Sequence, residues 1–235
     1  MDARAVAATS NKLLRLLEPA VREQLQPHLE SVELPVGTVL FDSEQPIPYV
    51  HFLHSGIGSV VAVIPGEPSV EIGMTGCEGM AGWPVLFGGS RSPHRGFMQA
   101  PGCGHRMRAD VMRRLLDESP SLRALMMRYA QWVLIQIGQS AACNARHSIE
   151  ERLARWLLMA HDRVKADEIP LTHEFLAEML GVRRAGVTVA THVLEGARII
   201  QARRGRITII HRAKLEEVSC ACYRVVEDER LRLLG

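Results

Sequence analysis

A chain of 235 residues, 47% hydrophobic and 23% charged, can form one large or two modest domains with real cores. Its formal net charge of +2 excludes a chain that is basic or acidic throughout, so only local clustering of charge is informative. The five cysteines (Cys77, Cys103, Cys143, Cys220, Cys222) are odd in number, scattered and without a CxxC pair, which argues against a disulfide framework and against a zinc site.

The opening segment MDARAVAATSNKLLRLLEPA holds no apolar core of signal-peptide length, and no apolar run of about 18 residues occurs. A cytoplasmic protein without membrane contact is expected. Residues 10–30 read as one or two amphipathic helices, broken at Pro19, with leucines at helical spacing. From Ser31 the period becomes two. Short strands are predicted around Val32–Val36, Val39–Phe41, Tyr49–Leu53, Ile57–Ile64 and Val70–Met74, separated by Gly/Pro turns. Such spacing suggests an all-β roll or barrel. Residues 76–92 are glycine-rich, with a short helix predicted around Ala81–Leu86. Phe97–Ala100 and His105–Met107 would close the roll, and a helix starts at Asp110.

Ser119-Pro120 is a helix start: a cap residue, then proline at the first helical position. The run from Ser121 to Arg146 contains no proline and would be ~40 Å long. Leu122, Leu125, Met126, Tyr129, Trp132, Val133 and Ile137 form an apolar stripe, and Ala130, Gly138, Ala141, Ala142 and Ala145 are small. That combination predicts close packing against another helix, most simply its own copy in a dimer. Ser148 would cap a further helix from Ile149 to Arg163, and Leu215–Leu234 reads as one last helix.

Between them, Leu171–Ile210 has the spacing of a helix-turn-helix followed by a basic hairpin. Leu176, Leu180, Val182, Val187 and Ala190 would form its small core. Ala177 sits where the helices would cross, and Gly181 sits in the turn. From Arg183 to Lys214 there are eight basic residues and one acid, Glu195, a net +7. Such a local field suits a phosphate backbone. No enzyme signature competes. His173-Glu174 begins like a zinc-protease helix, but Ala177 replaces the second histidine, and neither a P-loop nor a GxSxG occurs.

The order of these parts resembles the CRP/FNR family of bacterial transcription regulators. The resemblance rests on Leu34-Pro-Val-Gly-Thr-Val-Leu-Phe41, the Tyr49-to-Gly56 strand and turn, the Gly79-to-Gly89 insert and Leu180-Gly-Val-Arg-Arg184, and it covers nearly the whole chain. It implies an α+β chain: a jelly-roll-like β-roll of the cyclic-nucleotide-binding kind over residues 1–118, a long dimerisation helix over 119–147, and a winged helix-turn-helix with a C-terminal helix over 148–235. It further implies a homodimer on a palindromic duplex, tuned by an effector in the roll, with RNA polymerase as a further partner.

By that resemblance Arg184 occupies the position that pairs with guanine. Ala185 and Val189 stand where the best-known members carry a glutamate and a second arginine, so the base code should differ. Arg183, Thr188, Thr191 and His192 are further contacts expected from the recognition helix, and Arg203, Arg204 and Arg206 are expected to touch phosphates. The effector pocket would involve Glu78, Gly79, Arg91, His94, Arg95, Ile137 and Gly138. His94 and Arg95 replace the Arg-Ser pair that holds a cyclic phosphate, and Ile137 and Gly138 replace hydroxyls that meet the purine. These changes argue against cyclic AMP. The absence of cysteines before Cys77 argues against an FNR-type iron–sulfur cluster, and haem is not expected from a lone Cys77 or His94. The alternatives are an effector-independent regulator and a sensor module acting through a protein partner.

Overall fold

The computed structural model describes residues 9–164 and 166–235. Residues 1–8, where the expected lack of a signal peptide begins, and Lys165 lie outside the described residues. Two short helices, α1 (Lys12–Arg15) and α2 (Pro19–Leu25), open the described chain, and Pro19 is the first residue of α2. Asn11 anchors them. Its side-chain oxygen accepts from Leu14 N at 3.0 Å, and its amide nitrogen donates to Leu53 O and Gly79 O, both at 2.8 Å.

Eight strands follow: β1 (Glu30–Leu34), β2 (Val39–Phe41), β3 (Tyr49–Leu53), β4 (Ile57–Ala62), β5 (Val70–Thr75), β6 (Met80–Ala81), β7 (His94–Ala100) and β8 (Gly102–Arg108). They form two four-stranded antiparallel sheets, ordered β1-β8-β3-β6 and β2-β7-β4-β5. The roll is therefore as expected. The insert differs: Ala81 belongs to β6, opposite His51, and the helical piece is a 3-10 turn over Trp83–Phe87. Gly82 and Gly88, both with positive φ, bound that turn, leaving no room for an α-helix.

Next come α3 (Ala109–Glu118) and α4 (Pro120–Arg146). Ser119 caps α4 by accepting from Leu122 N at 3.3 Å. The predicted apolar stripe is covered within the same chain: Leu122, Leu125, Met126, Tyr129, Trp132 and Val133 are all buried. Ala124, Gln131, Leu134, Gly138, Ala141 and Ala145 are exposed on the opposite face, with Met127 half-buried among them. Their spacing alternates three and four, the period of a coiled-coil seam. The face left for a second helix is thus the small-residue one.

Helix α5 (Ile149–Val164) begins at a reciprocal capping box. Ser148 N donates to Glu151 Oε2 at 2.8 Å, and Glu151 N donates to Ser148 Oγ at 3.3 Å. Strand β9 (Glu168–Pro170), helices α6 (His173–Leu180) and α7 (Arg184–Gly196), and strands β10 (Ile200–Arg203) and β11 (Arg206–Ile209) follow. Strand β9, too short to read in the sequence, completes a sheet ordered β10-β11-β9. The C-terminal part is two helices, α8 (Arg212–Val218) and α9 (Cys222–Leu234). Ser219 is extended (φ −67°, ψ 150°) and ends α8. The break was masked because Val218, Cys222 and Val226 keep a four-residue spacing across it.

Helix α9 leaves the DNA-binding unit and lies on α4. Trp132 Nε1 donates to Val226 O at 3.0 Å, and Arg128 Nε donates to Leu233 O at 3.1 Å. The helix-turn-helix unit is docked on the roll through a shared core, in which Ile57, Val61, Met74 and Ala100 join Leu153, Trp156, Leu157, Leu176 and Val187. Among the described residues no helix is long and apolar enough to cross a membrane.

Candidate nucleic-acid interface

The helix-turn-helix is built as its spacing predicts. Thr172 caps α6 by accepting from Phe175 N at 3.1 Å. Gly181 ends α6 at φ +62°, and Val182 N returns to Ala177 O at 2.9 Å, the bond of a glycine-terminated helix. Leu176, Ala177, Leu180, Val187 and Ala190 are buried between the helices. What remains outside on α7 is Arg184, Ala185, Val189, His192 and Val193, with Arg183 just before it. Val189 and Val193, 59% and 52% exposed and four residues apart, lie together on that outer face.

Thr188 is half-buried; its hydroxyl donates to Arg184 O at 3.1 Å and lies 3.0 Å from His173 Nδ1. Thr191 departs from its expected role. It is 0% exposed and packs inward behind Ala190, so it cannot reach DNA, and its hydroxyl has no partner among the described residues. Arg184 Nε stands 3.7 Å from Glu174 Oε2, both side chains well exposed, so the guanidinium is steered without being consumed.

The wing turns through Arg204 (φ +37°) and Gly205 (φ +78°), the two successive positive-φ residues of a tight hairpin turn. Arg203, Arg204 and Arg206 are exposed, and Arg206 pairs with Glu168 at 2.6 Å. Arg184, His192, Arg203, Arg204 and Arg206 surround a notch of about 380 Å³ between α7 and the wing. Burial, then the charges of Arg184 and His192, lower the pKa of His173 at its rim. Arg212, one of the eight basic residues in the window, faces away. It holds Asp162 at 2.7 Å, Glu216 at 3.0 Å and the Tyr223 hydroxyl at 2.7 Å, so it braces α5, α8 and α9.

The first turn of α7 also faces the roll. Arg183 and Arg184 line a cleft of about 1020 Å³ whose other wall is Glu67, Pro68 and Ser69 in the β4–β5 hairpin. Val70 presses on the turn, with its Cγ2 2.9 Å from where a Cβ on Gly181 would be.

The residues expected to form an effector pocket stand in several different settings. Glu78 is buried and paired with Arg163 of α5 at 2.7 Å, with side chains 8% and 3% exposed. Gly79 is pressed by Tyr129, whose hydroxyl donates to Met80 O at 2.7 Å and would lie 2.5 Å from an added Cβ. Arg91 is exposed, and Arg95 is half-exposed, 3.7 Å from Asp42. His94 has a pKa lowered by burial and an Nδ1 without a partner among the described residues. Ile137 lies beside Gly73 of β5, and Gly138 faces open space on the exposed side of α4.

A second polar link to the DNA-binding unit escaped the sequence reading. Trp156 Nε1 donates to Glu71 Oε1 at 2.9 Å. Burial raises the Glu71 carboxyl to about 7, against the opposing pull of hydrogen bonds from Ser59 and Trp156. Ser59 Oγ lies 2.6 Å from both Glu71 Oε2 and Gln99 Oε1. One hydroxyl proton can serve only one of them, and the proton that burial favours on Glu71 can serve the other.

A winged helix-turn-helix carried on a β-roll and a long helix defines the class of protein. Residues 151–218 match the profile of the Crp-like helix-turn-helix domain. Solved structures of the same fold include a CRP/FNR-family regulator from Eubacterium rectale, with 15% identity, 88% of this chain and 96% of that one covered, and TM-score 0.71. FixK2 from Bradyrhizobium japonicum matches with 14% identity, 82% and 98% coverage, and TM-score 0.70. The c-di-GMP-responsive regulator CLP from Xanthomonas campestris matches with 15% identity, 82% and 99% coverage, and TM-score 0.68. No curated protein sequence matches the chain significantly. The chain has the fold of the CRP/FNR transcription regulators and carries their helix-turn-helix domain.

Proposed function

We propose that the protein is a cytoplasmic, sequence-specific regulator of transcription that binds palindromic DNA as a homodimer. The observation that carries this reading is the notch where Arg184 and His192 of α7 face Arg203, Arg204 and Arg206 of the wing. A recognition helix needs base-reading groups on one face and phosphate anchors beside it. Arg184 and His192 would read base edges, the exposed Val189 and Val193 would meet thymine methyls, and Arg183 and the wing would hold phosphates. The exposed seam of α4, from Ala124 to Ala145, is the natural dimer contact, and its small residues allow close approach. Two recognition helices would then sit one helical turn, ~34 Å, apart.

Selection of random duplex DNA on the purified protein tests the reading. The expected product is a palindrome whose half-sites are one turn apart. Binding no tighter than to random DNA at physiological salt would refute it. Leu134, 52% exposed at the middle of the seam, offers the test of assembly. Leu134→Glu should convert a dimer to a monomer in light scattering and abolish binding to the full palindrome. An unchanged dimer mass would place the contact elsewhere.

A second reading, a regulator that acts without a nucleotide, is favoured by the Glu78–Arg163 pair. The carboxylate expected in the effector pocket is tied to the DNA-binding unit instead. Titrating cyclic AMP and cyclic di-GMP against thermal unfolding should leave the transition in place. A saturable rise in Tm would restore a nucleotide site.

A further inference from the structure

The last turn of α4, the residue after it, and the α8–α9 junction meet at one point. Cys143, Cys220 and Cys222 are buried together there. Cys143 Sγ lies 3.4 Å from Cys220 Sγ, and Cys222 Sγ lies 3.7 Å from His147 Nδ1. One ligand atom from each of Cys143, His147, Cys220 and Cys222 falls within 4.8 Å of all the others. The four residues come from two places 77 positions apart. In the sequence they read only as a Cys-x3-His and a Cys-x-Cys, neither of which resembles the CxxC whose absence argued against zinc.

We propose that Cys143, His147, Cys220 and Cys222 bind a single zinc ion in a closed, four-ligand site. The donor set is Cys3His, which structural zinc favours. A tetrahedron with arms of about 2.3 Å has edges of about 3.8 Å, the scale of the observed separations. Ligands to a multi-iron cluster must stand farther apart, because bridging sulfides lie between the irons. The local chain suits the task. Cys143 and His147 are four apart on a helix end and so share a face, with His147 N donating to Cys143 O at 3.0 Å. Cys220 and Cys222 flank Ala221 at the start of α9.

The surroundings supply an independent reason. Arg152 and Arg155 of α5 are 9% and 7% exposed, and neither has a carboxylate partner among the described residues. Arg152 donates to Leu180 O and Arg155 to Ser140 Oγ, while the Nε of each lacks a hydrogen bond among the described residues. Buried guanidinium groups need counter-charge. Both are electrostatically coupled to the cluster, Arg152 to Cys143 and Cys220, Arg155 to Cys143 and Cys222. Zinc held by three thiolates and a neutral imidazole carries a net charge of −1, which supplies counter-charge beside those guanidinium groups. Binding releases the three thiol protons to solvent. The ion would clamp α9 to α4 beside Ser148, where the long helix hands over to the DNA-binding unit.

Metal analysis and cobalt substitution of the full-length protein test this. Protein purified with reductant and zinc should carry one zinc per chain. Replacing zinc by cobalt(II) should give the visible bands of tetrahedral cobalt and a near-ultraviolet thiolate charge-transfer band. Cys220→Ser and His147→Ala should each lose stoichiometric zinc and alter or abolish the cobalt bands. Cys77→Ser and Cys103→Ser, outside the cluster, should keep both. Because a ligand variant can unfold, the wild-type protein alone is also decisive through a zinc-dependent rise in Tm that a chelator reverses. Zinc well below one equivalent with no cobalt bands would overturn the proposal. So would iron with acid-labile sulfide, or a Cys143–Cys220 disulfide in metal-free protein.

Discussion

Helix α7 with its wing and the Glu78–Gly79 region of the roll differ in what their side chains are free to do. On α7 and the wing, Arg183, Arg184, His192, Arg203 and Arg204 stand in solvent. In the roll, Glu78 is locked to Arg163, and Gly79 lies under Tyr129. The same fold thus leaves one set of charged side chains open to solvent and ties another into internal bracing. Glu78–Arg163, Glu71–Trp156 and the bond from Arg163 to Met74 O all link the roll to α5, which opens the DNA-binding unit.

The largest expected effect tests that bracing. Glu78→Ala would leave the Arg163 guanidinium buried and unpaired, at a cost of about 3–5 kcal/mol in urea denaturation. A change under about 1 kcal/mol would mean that Arg163 finds water, and that the link is dispensable. Glu71 comes next. Its carboxyl is raised from 4.5 to about 7, so the folded chain keeps a proton that the unfolded chain has released. The associated stability is whole below about 4.5 and lost as pH rises through about 7, roughly 3 kcal/mol when complete. Thermal unfolding from pH 4.5 to 8 should show this decline, and Glu71→Gln should flatten it. Parallel curves for both proteins would show that Glu71 ionises normally.

On the output side, Arg184→Ala should cost about 1–3 kcal/mol of specific binding and relax one base position in a selection. Equal loss on all sequences would reassign Arg184 to a phosphate. Arg203→Ala should weaken all duplexes alike and reduce the salt dependence by roughly one counterion. The smallest effect is expected at Thr191. Thr191→Val removes an unpartnered buried hydroxyl and should raise stability by about 1 kcal/mol, with DNA affinity unaltered in a fluorescence titration. A loss of affinity would show that α7 rotates on binding.

Local rules made the output end legible. Ser119-Pro120, Gly181 and the alternating apolar sites each act within a few residues, and the structure has each where its chemistry requires. Thr191 lies inside rather than on the outer face, because a threonine suits either side of a helix and spacing alone does not choose between them. The second face of α4 was less clear. The stripe from Leu122 to Val133 meets α9 across nearly a hundred residues, a pairing no periodicity announces. The fate of Glu78 and the gathering of Cys143, His147, Cys220 and Cys222 are likewise long-range. Such sites appear only when two separately predictable pieces are placed together.

The packing of α9 also sets an order of events during synthesis. The indole of Trp132 waits for the carbonyl of Val226, 94 residues later in the chain. Until α9 leaves the ribosome, the flank of α4 that Val226, Leu233 and Leu234 help to cover stays open, so the long helix holds part of the chain's apolar interior exposed throughout the making of the whole DNA-binding unit.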